Sequence, residues 1–149
     1  MATALEDAIY GLIVRAVTSL PKDTGRAIRA ALRNETSPLA RVQMKAILEN
    51  AELACSKKIP MCQDTGTPIF YVSVGHSYAH RDEIGDAVRS AVERATREGF
   101  LRPNIVNPIT RKNTNTNTGN RVPIINYELA GGNGLEITFF PKGAGSENM

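Results

Sequence analysis

"PIFYVSV", residues 68–74, is the stretch on which the fold turns. It is rich in β-branched and aromatic residues and bounded by Gly66 and Gly75, which predicts a β-strand. Everything before it has a different period. Leu5, Ala8, Ile9, Leu12, Ile13, Ala16, Val17 and Leu20 recur at i, i+3, i+4 and i+7, the pattern of an amphipathic helix. Pro21 ends that helix and can open a second, with Ala27, Ile28, Ala31 and Leu32 as its apolar stripe and Asp23 near its start. Ser37 followed by Pro38 reads as an N-cap and first helical position. The third helix then carries Leu39, Val42, Ala46, Ile47, Asn50, Ala51 and Ala54 along one face.

Beyond the strand the helical period returns in Ile84, Ala87, Val88, Ala91, Val92 and Ala95, starting near Asp82, with Gly99 where a left-handed C-terminal cap belongs. Residues 100–120 are polar and irregular. "NTNTNTGN" (113–120) is the one low-complexity stretch, and Asn and Thr side chains that satisfy nearby backbone groups make it a solvated turn region. "VPIINYEL" (122–129) and "LEITFF" (135–140) read as two strands joined as a hairpin by "AGGNG", with Pro123 placing the first at an edge or starting after that proline. The fold class is therefore α+β: N-terminal helices followed by a mainly antiparallel sheet with a hairpin, in one domain over residues 1–149.

The totals narrow the function. The chain has 149 residues and a formal charge of +3, with Lys and Arg spread along it. It has no Trp, four Phe and four Tyr, so a base-stacking platform is missing and nucleic acid is not an expected partner. Apolar runs are too short for a membrane span, and Glu6 and Asp7 stand where a signal peptide would be basic, so a cytoplasmic protein is expected. In that compartment Cys55 and Cys62 favour thiol or metal chemistry, or plain packing, over a disulfide.

Three polar loops at the ends of predicted elements are the candidate binding region: "MCQDTGTP" (61–68), "FLRPNIVNPITRKN" (100–113) and "PKGAGSENM" (141–149). In the first, Cys62 can act as a metal ligand or a nucleophile, with Asp64 and Thr65 close by and Gly66 allowing a sharp turn. Zinc held by Cys55, Cys62, His76 and His80 matches no common spacing, and a histidine base for Cys62 requires a proximity that sequence cannot supply. Lys142, Gly143, Gly145 and Ser146 form a small-residue turn suited to an anion, though without P-loop spacing. Arg102, Arg111 and Lys112 add cations, and Arg can grip a carboxylate with two parallel hydrogen bonds. Taken singly each of these cations also fits ordinary solvated surface. Together the loops favour a small anionic substrate.

In order and spacing, "KIPMCQDTGTPIFYVSVG" (58–75), "LRPNIVNPITRKNT" (101–114) and "LEITFFPKGAGSENM" (135–149) closely resemble the class I fumarate hydratase and L(+)-tartrate dehydratase family of iron-sulfur hydro-lyases. In that family they belong to the α subunit, or to the N-terminal domain where the subunits are fused. The resemblance implies reversible hydration of a small dicarboxylate such as fumarate, malate or tartrate. The cofactor it implies is a [4Fe-4S] cluster held by three cysteines, with one iron open to substrate. Carried over by position, Cys62 would be a cluster ligand and Gln63, Asp64 and Thr65 would line the substrate, Asp64 being the candidate acid or base. Arg102 would grip a substrate carboxylate, and Gly145 would offer its backbone N–H.

Two further cluster cysteines lie, in the family, beyond the point where this sequence stops at Met149, and Cys55 stands outside the family pattern as a packing residue. The resemblance therefore implies the N-terminal part of an α subunit, inactive alone, whose partner is a β subunit or C-terminal domain. Unpaired strand edges point to an oligomer. The alternative is a catalytically incomplete module that binds small anions or another subunit.

Overall fold

The structure, a computed structural model, describes residues 3–143. Helices α1 (Ala4–Thr18), α2 (Lys22–Asn34) and α3 (Pro38–Lys57) come first, then strand β1 (Thr67–Gly75). A 3-10 turn over Arg81–Glu83 leads into α4 (Ile84–Arg97), and β2 (Ile124–Ala130) and β3 (Leu135–Lys142) follow. The α+β class, with helices preceding a small sheet, is as the sequence predicts.

Local chemistry sets the boundaries. The Thr3 side chain accepts from the Glu6 N–H at 3.1 Å at the start of α1. Ser37 Oγ accepts from the Ala40 N–H at 3.4 Å, with Pro38 in the first turn of α3. Lys58 ends α3 in a left-handed conformation at φ 52°, and Gly99 follows α4 at φ 83°, the predicted cap.

The predicted hairpin is corrected. The strand order is β2-β1-β3, so β2 and β3 each pair with β1 and not with one another. β1 runs parallel to β2, with Val72 opposite Tyr127, and antiparallel to β3, with Phe70 opposite Phe139. β1 is the most buried strand, and the central position satisfies its backbone on both edges. The 131–134 turn therefore crosses over the end of β1: the Gly75 N–H donates to the Gly134 carbonyl at 2.8 Å and the Ser77 N–H to that of Gly132 at 3.0 Å. Glycine is required there, because a Cβ on Gly75 would stand 2.4 Å from the Gly132 oxygen. The sheet is mixed, and β2 begins immediately after Pro123 at an edge.

Alternation along β1 separates two faces. Phe70, Val72 and Val74 point into the core, whereas Tyr71 is 53 % exposed. Against the inner face pack Ile9, Ile13 and Val17 of α1 and the complete predicted stripe of α4. The Phe70 and Phe139 rings lie 4.9 Å apart between strands. At the periphery, Arg94 of α4 stacks over the Tyr10 ring at 3.9 Å, pairs with Asp7 at 2.7 Å and bonds Glu98, which also accepts from the Tyr10 hydroxyl.

The apolar face predicted for α3 is largely uncovered. α3 packs mainly on α2, and Leu39, Val42 and Ile47 remain exposed, Ala54 being its one buried residue. Cys55 likewise is exposed and not packed: its sulfur accepts from Ser19 Oγ at 3.7 Å. No helix among the described residues is long and apolar enough to cross a membrane.

Candidate active site

The loop carrying Cys62 is tied down on three sides. The Met61 N–H donates to the Val17 carbonyl of α1 at 2.9 Å, and Asn50 Nδ2 of α3 donates to the Met61 carbonyl at 2.9 Å. Asp64 Oδ1 accepts from the Gly66 N–H at 3.1 Å, an Asx turn. Gly66, at φ 75°, abuts the end of β3, where an added Cβ would lie 2.1 Å from the Lys142 oxygen. Cys62 and Gln63 project from this fixed turn into solvent.

The segment carrying Arg102 is brought to the same place by α4. Gly99 turns the chain, Leu101 is buried in the core, and the Arg102 N–H donates to Thr65 Oγ1 at 2.8 Å across 37 residues of sequence. Asn104 Nδ2 approaches Asp64 Oδ1 at 3.5 Å. Asn117, fully buried, donates through Nδ2 to the Arg102 carbonyl at 2.8 Å and to Thr96 Oγ1 at 3.1 Å. Its Oδ1 accepts from the Asn104 N–H at 2.9 Å. Thr65, Thr96 and Asn117, with Thr18, are the buried polar residues among those described, so most of that group serves this one junction.

The result is an open cleft of about 540 Å³ lined by Cys62, Gln63, Thr65 and Arg102, with Pro60 and Leu101 as apolar walls. Behind the loop a smaller pocket of about 150 Å³ is bordered by Asp64 together with Cys62 and Thr65. Thus a thiol, an amide and a guanidinium share one opening, and a carboxylate faces the adjoining one. The guanidinium suits a carboxylate-bearing molecule in the cleft, and the Asp64 carboxylate is an acid or base group bordering the adjoining pocket.

Other predicted residues lie elsewhere. Arg111 and Lys112 are exposed on the ribbon closed by the Val106 to Asn113 bridge and do not line the cleft. His76 and His80 follow the far end of β1, a nine-residue strand whose length of about 26 Å separates them from the Cys62 loop. That distance removes both the four-residue zinc site and the histidine base for Cys62. His80 instead meets Glu83 at 2.9 Å. Gly145 and Ser146 lie outside the described residues, but the start of their loop reaches the site: a Cβ on Gly143 would stand 3.4 Å from Asp64 Oδ2. Sequence reasoning missed Asn104, Thr96 and Asn117. The repeat hides Asn117, since nothing local separates it from Asn113 or Asn115.

The donor set at the cleft is not that of a complete cluster site. Cys62 is its one thiol, and among the described residues no three His, Cys, Asp or Glu side chains converge as metal ligands. Cys62 fits a single thiolate position and no more.

Comparison with known proteins places the chain in a family. The family model described as "Fumarate hydratase (Fumerase)" matches residues 6–149. A Methanocaldococcus jannaschii protein provisionally named L(+)-tartrate dehydratase subunit alpha is 39% identical over 149 residues, covering 97% of this chain and 52% of that protein. A Geobacillus stearothermophilus protein provisionally named fumarate hydratase class I is 34% identical over 145 residues, 97% of this chain and 28% of its own length. The L(+)-tartrate dehydratase subunit alpha of Escherichia coli is 31% identical over 129 residues, 86% of this chain and 43% of that subunit. The chain belongs to the fumarate hydratase (Fumerase) family. It spans about half the length, or less, of the curated relatives it matches.

Proposed function

We propose that this chain forms part of a hydro-lyase that reversibly adds water across a carbon-carbon bond of a small dicarboxylate such as fumarate, malate or tartrate. Arg102 grips one substrate carboxylate through its guanidinium. Gln63 and Thr65 line the substrate, Gly145 offers it a backbone N–H, and Asp64 transfers the proton as acid or base. Cys62 supplies one thiolate ligand to a [4Fe-4S] cluster, whose remaining ligands come from outside residues 3–143. When bound, such a cluster supplies a Lewis-acidic iron for the substrate hydroxyl. The working enzyme pairs this chain with a fumarase-type β subunit or C-terminal domain, in the cytoplasm.

The observation that carries this reading is that Cys62, Gln63, Thr65 and Arg102, drawn from two distant segments, line one cleft. The family and the names of its members favour the same chemistry. The test is anaerobic iron-sulfur reconstitution of the full-length α and β pair with and without C62A, followed by turnover assays on fumarate, malate and L(+)-tartrate. Iron content and activity should both collapse in the variant. Full retention of both by C62A would overturn the proposal.

A further inference from the structure

Arg102 sits in a segment without regular secondary structure, between α4 and β2, so no ladder fixes its backbone. Side chains do so instead. Its N–H donates to Thr65 Oγ1 at 2.8 Å and its carbonyl accepts from Asn117 Nδ2 at 2.8 Å. The other Nδ2 hydrogen of Asn117 goes to Thr96 Oγ1 at 3.1 Å, and the Thr96 hydroxyl donates to the Val92 carbonyl inside α4 at 2.7 Å. On its acceptor side, Asn117 Oδ1 takes the N–H groups of Asn104 at 2.9 Å and Ile105 at 3.4 Å. Both donors and both acceptor sites of one amide are thus used, at 0 % exposure, where water does not compete. Hydrogen bonds run without a break from the core of α4, through Asn117, across Arg102, to the residue three places after Cys62.

We propose that Asn117 is a positioning residue for Arg102. It holds the arginine backbone from one side while Thr65 holds it from the other, so the guanidinium is presented to a substrate carboxylate in one orientation relative to the Cys62 loop. This rests on the hydro-lyase reading above. A long side chain on an irregular segment would otherwise sample many placements, and ordering it when substrate binds would cost affinity. The amide is specific for the task. Aspartate has no donor for the Arg102 carbonyl or for Thr96, and leucine makes none of the four bonds.

The test uses the assembled full-length enzyme with fumarate and L(+)-tartrate, comparing wild type, N117D, R102L and the double variant. N117D keeps an acceptor for Asn104 and a side chain tolerant of the φ of 55° at this position. It should raise KM about tenfold while kcat changes much less, and in the R102L background it should add less than about twofold. Unchanged KM in an active N117D enzyme overturns the positioning role, as does an undiminished effect in the R102L background. Wild-type enzyme that turns over no dicarboxylate overturns the hydro-lyase reading and takes this role with it. Should N117D fail to fold, hydrogen exchange on the wild-type chain decides. The amides of Arg102 and Asn104 should exchange at least about 100-fold more slowly than in an unfolded chain, and fast exchange at both rejects the clamp.

Discussion

Gly66 and the Lys142 carbonyl are in such close approach that a Cβ at residue 66 would lie 2.1 Å from the oxygen. The Cys62 loop is thereby seated on the end of β3 by backbone, with no side chain between them. G66A meets two obstacles at once, a φ of 75° and a carbonyl that the β1–β3 ladder holds in place. Its expected cost is about 2–4 kcal/mol of folding stability. Urea unfolding of the wild-type and variant chains measures it, and a loss below about 1 kcal/mol would mean that the loop is not seated as described.

Strand β1 gives a test of the sheet itself. Phe70 is buried against Phe139 and the α1–α4 layer, while its neighbour Tyr71 opens onto the other face. F70A should lower stability by about 3–5 kcal/mol through the cavity it leaves. Y71A should stay within about 1 kcal/mol. Equal losses from the two, followed by denaturant unfolding, would contradict the assigned faces.

Much of this architecture is readable in the residues alone. The α4 stripe, the Ser37-Pro38 start of α3 and the Gly99 cap follow from local periodicity and capping chemistry, which sequence carries directly. The neighbour of β2 does not. An "AGGNG" turn between two strands is compatible with a hairpin or with a third strand inserted between them, and the absent Cβ of Gly75 that permits insertion is 55 residues upstream of Ala130. In the site, Cys62 is conspicuous because an exposed thiol is uncommon in a loop, whereas Asp64 and Arg102 are ordinary loop residues that the family resemblance singles out. Asn117 looks like its neighbours in the repeat, and only the tertiary fold brings it, and not Asn113 or Asn115, beneath Arg102. The exposure of Leu39, Val42 and Ile47 was equally hidden, since a helical stripe shows amphipathicity without showing what covers it.

The peripheral cluster on α1 and α4 predicts an acid-sensitive contribution to stability. The Glu98 carboxyl is held below its ordinary value of 4.5 by the hydrogen bond from the Tyr10 hydroxyl, and then by Arg94. A folded pKa that lies below the unfolded one contributes stability that is fully present above the unfolded value and is lost as pH falls through the folded value. E98Q should therefore melt below wild type at pH 7, and the gap should narrow once pH drops under about 4.5. Because the group is exposed, added salt should also shrink the gap at pH 7. Melting curves at pH 7 and pH 3.5, with and without salt, check both; a gap that widens in acid would reverse the assignment.

Asp64 offers the sharpest separation of chemistry from architecture. Its Oδ1 accepts the Gly66 N–H that shapes the loop and is approached by Asn104 Nδ2, while the carboxylate borders the pocket shared with Cys62 and Thr65. Asparagine keeps an oxygen for the Gly66 N–H, so D64N should retain the turn, the cleft and the grip of Arg102 on substrate. What it removes is the ionisable carboxylate that the proposed reaction uses as acid or base. In the full-length enzyme D64N should therefore lower kcat by about 10²–10⁴-fold and leave KM within a few-fold of wild type. Steady-state kinetics in both directions, hydration and dehydration, provide the measurement, and by microscopic reversibility the two should fall together. A variant that raises KM and spares kcat would reassign Asp64 to substrate binding and place the proton transfer on another group.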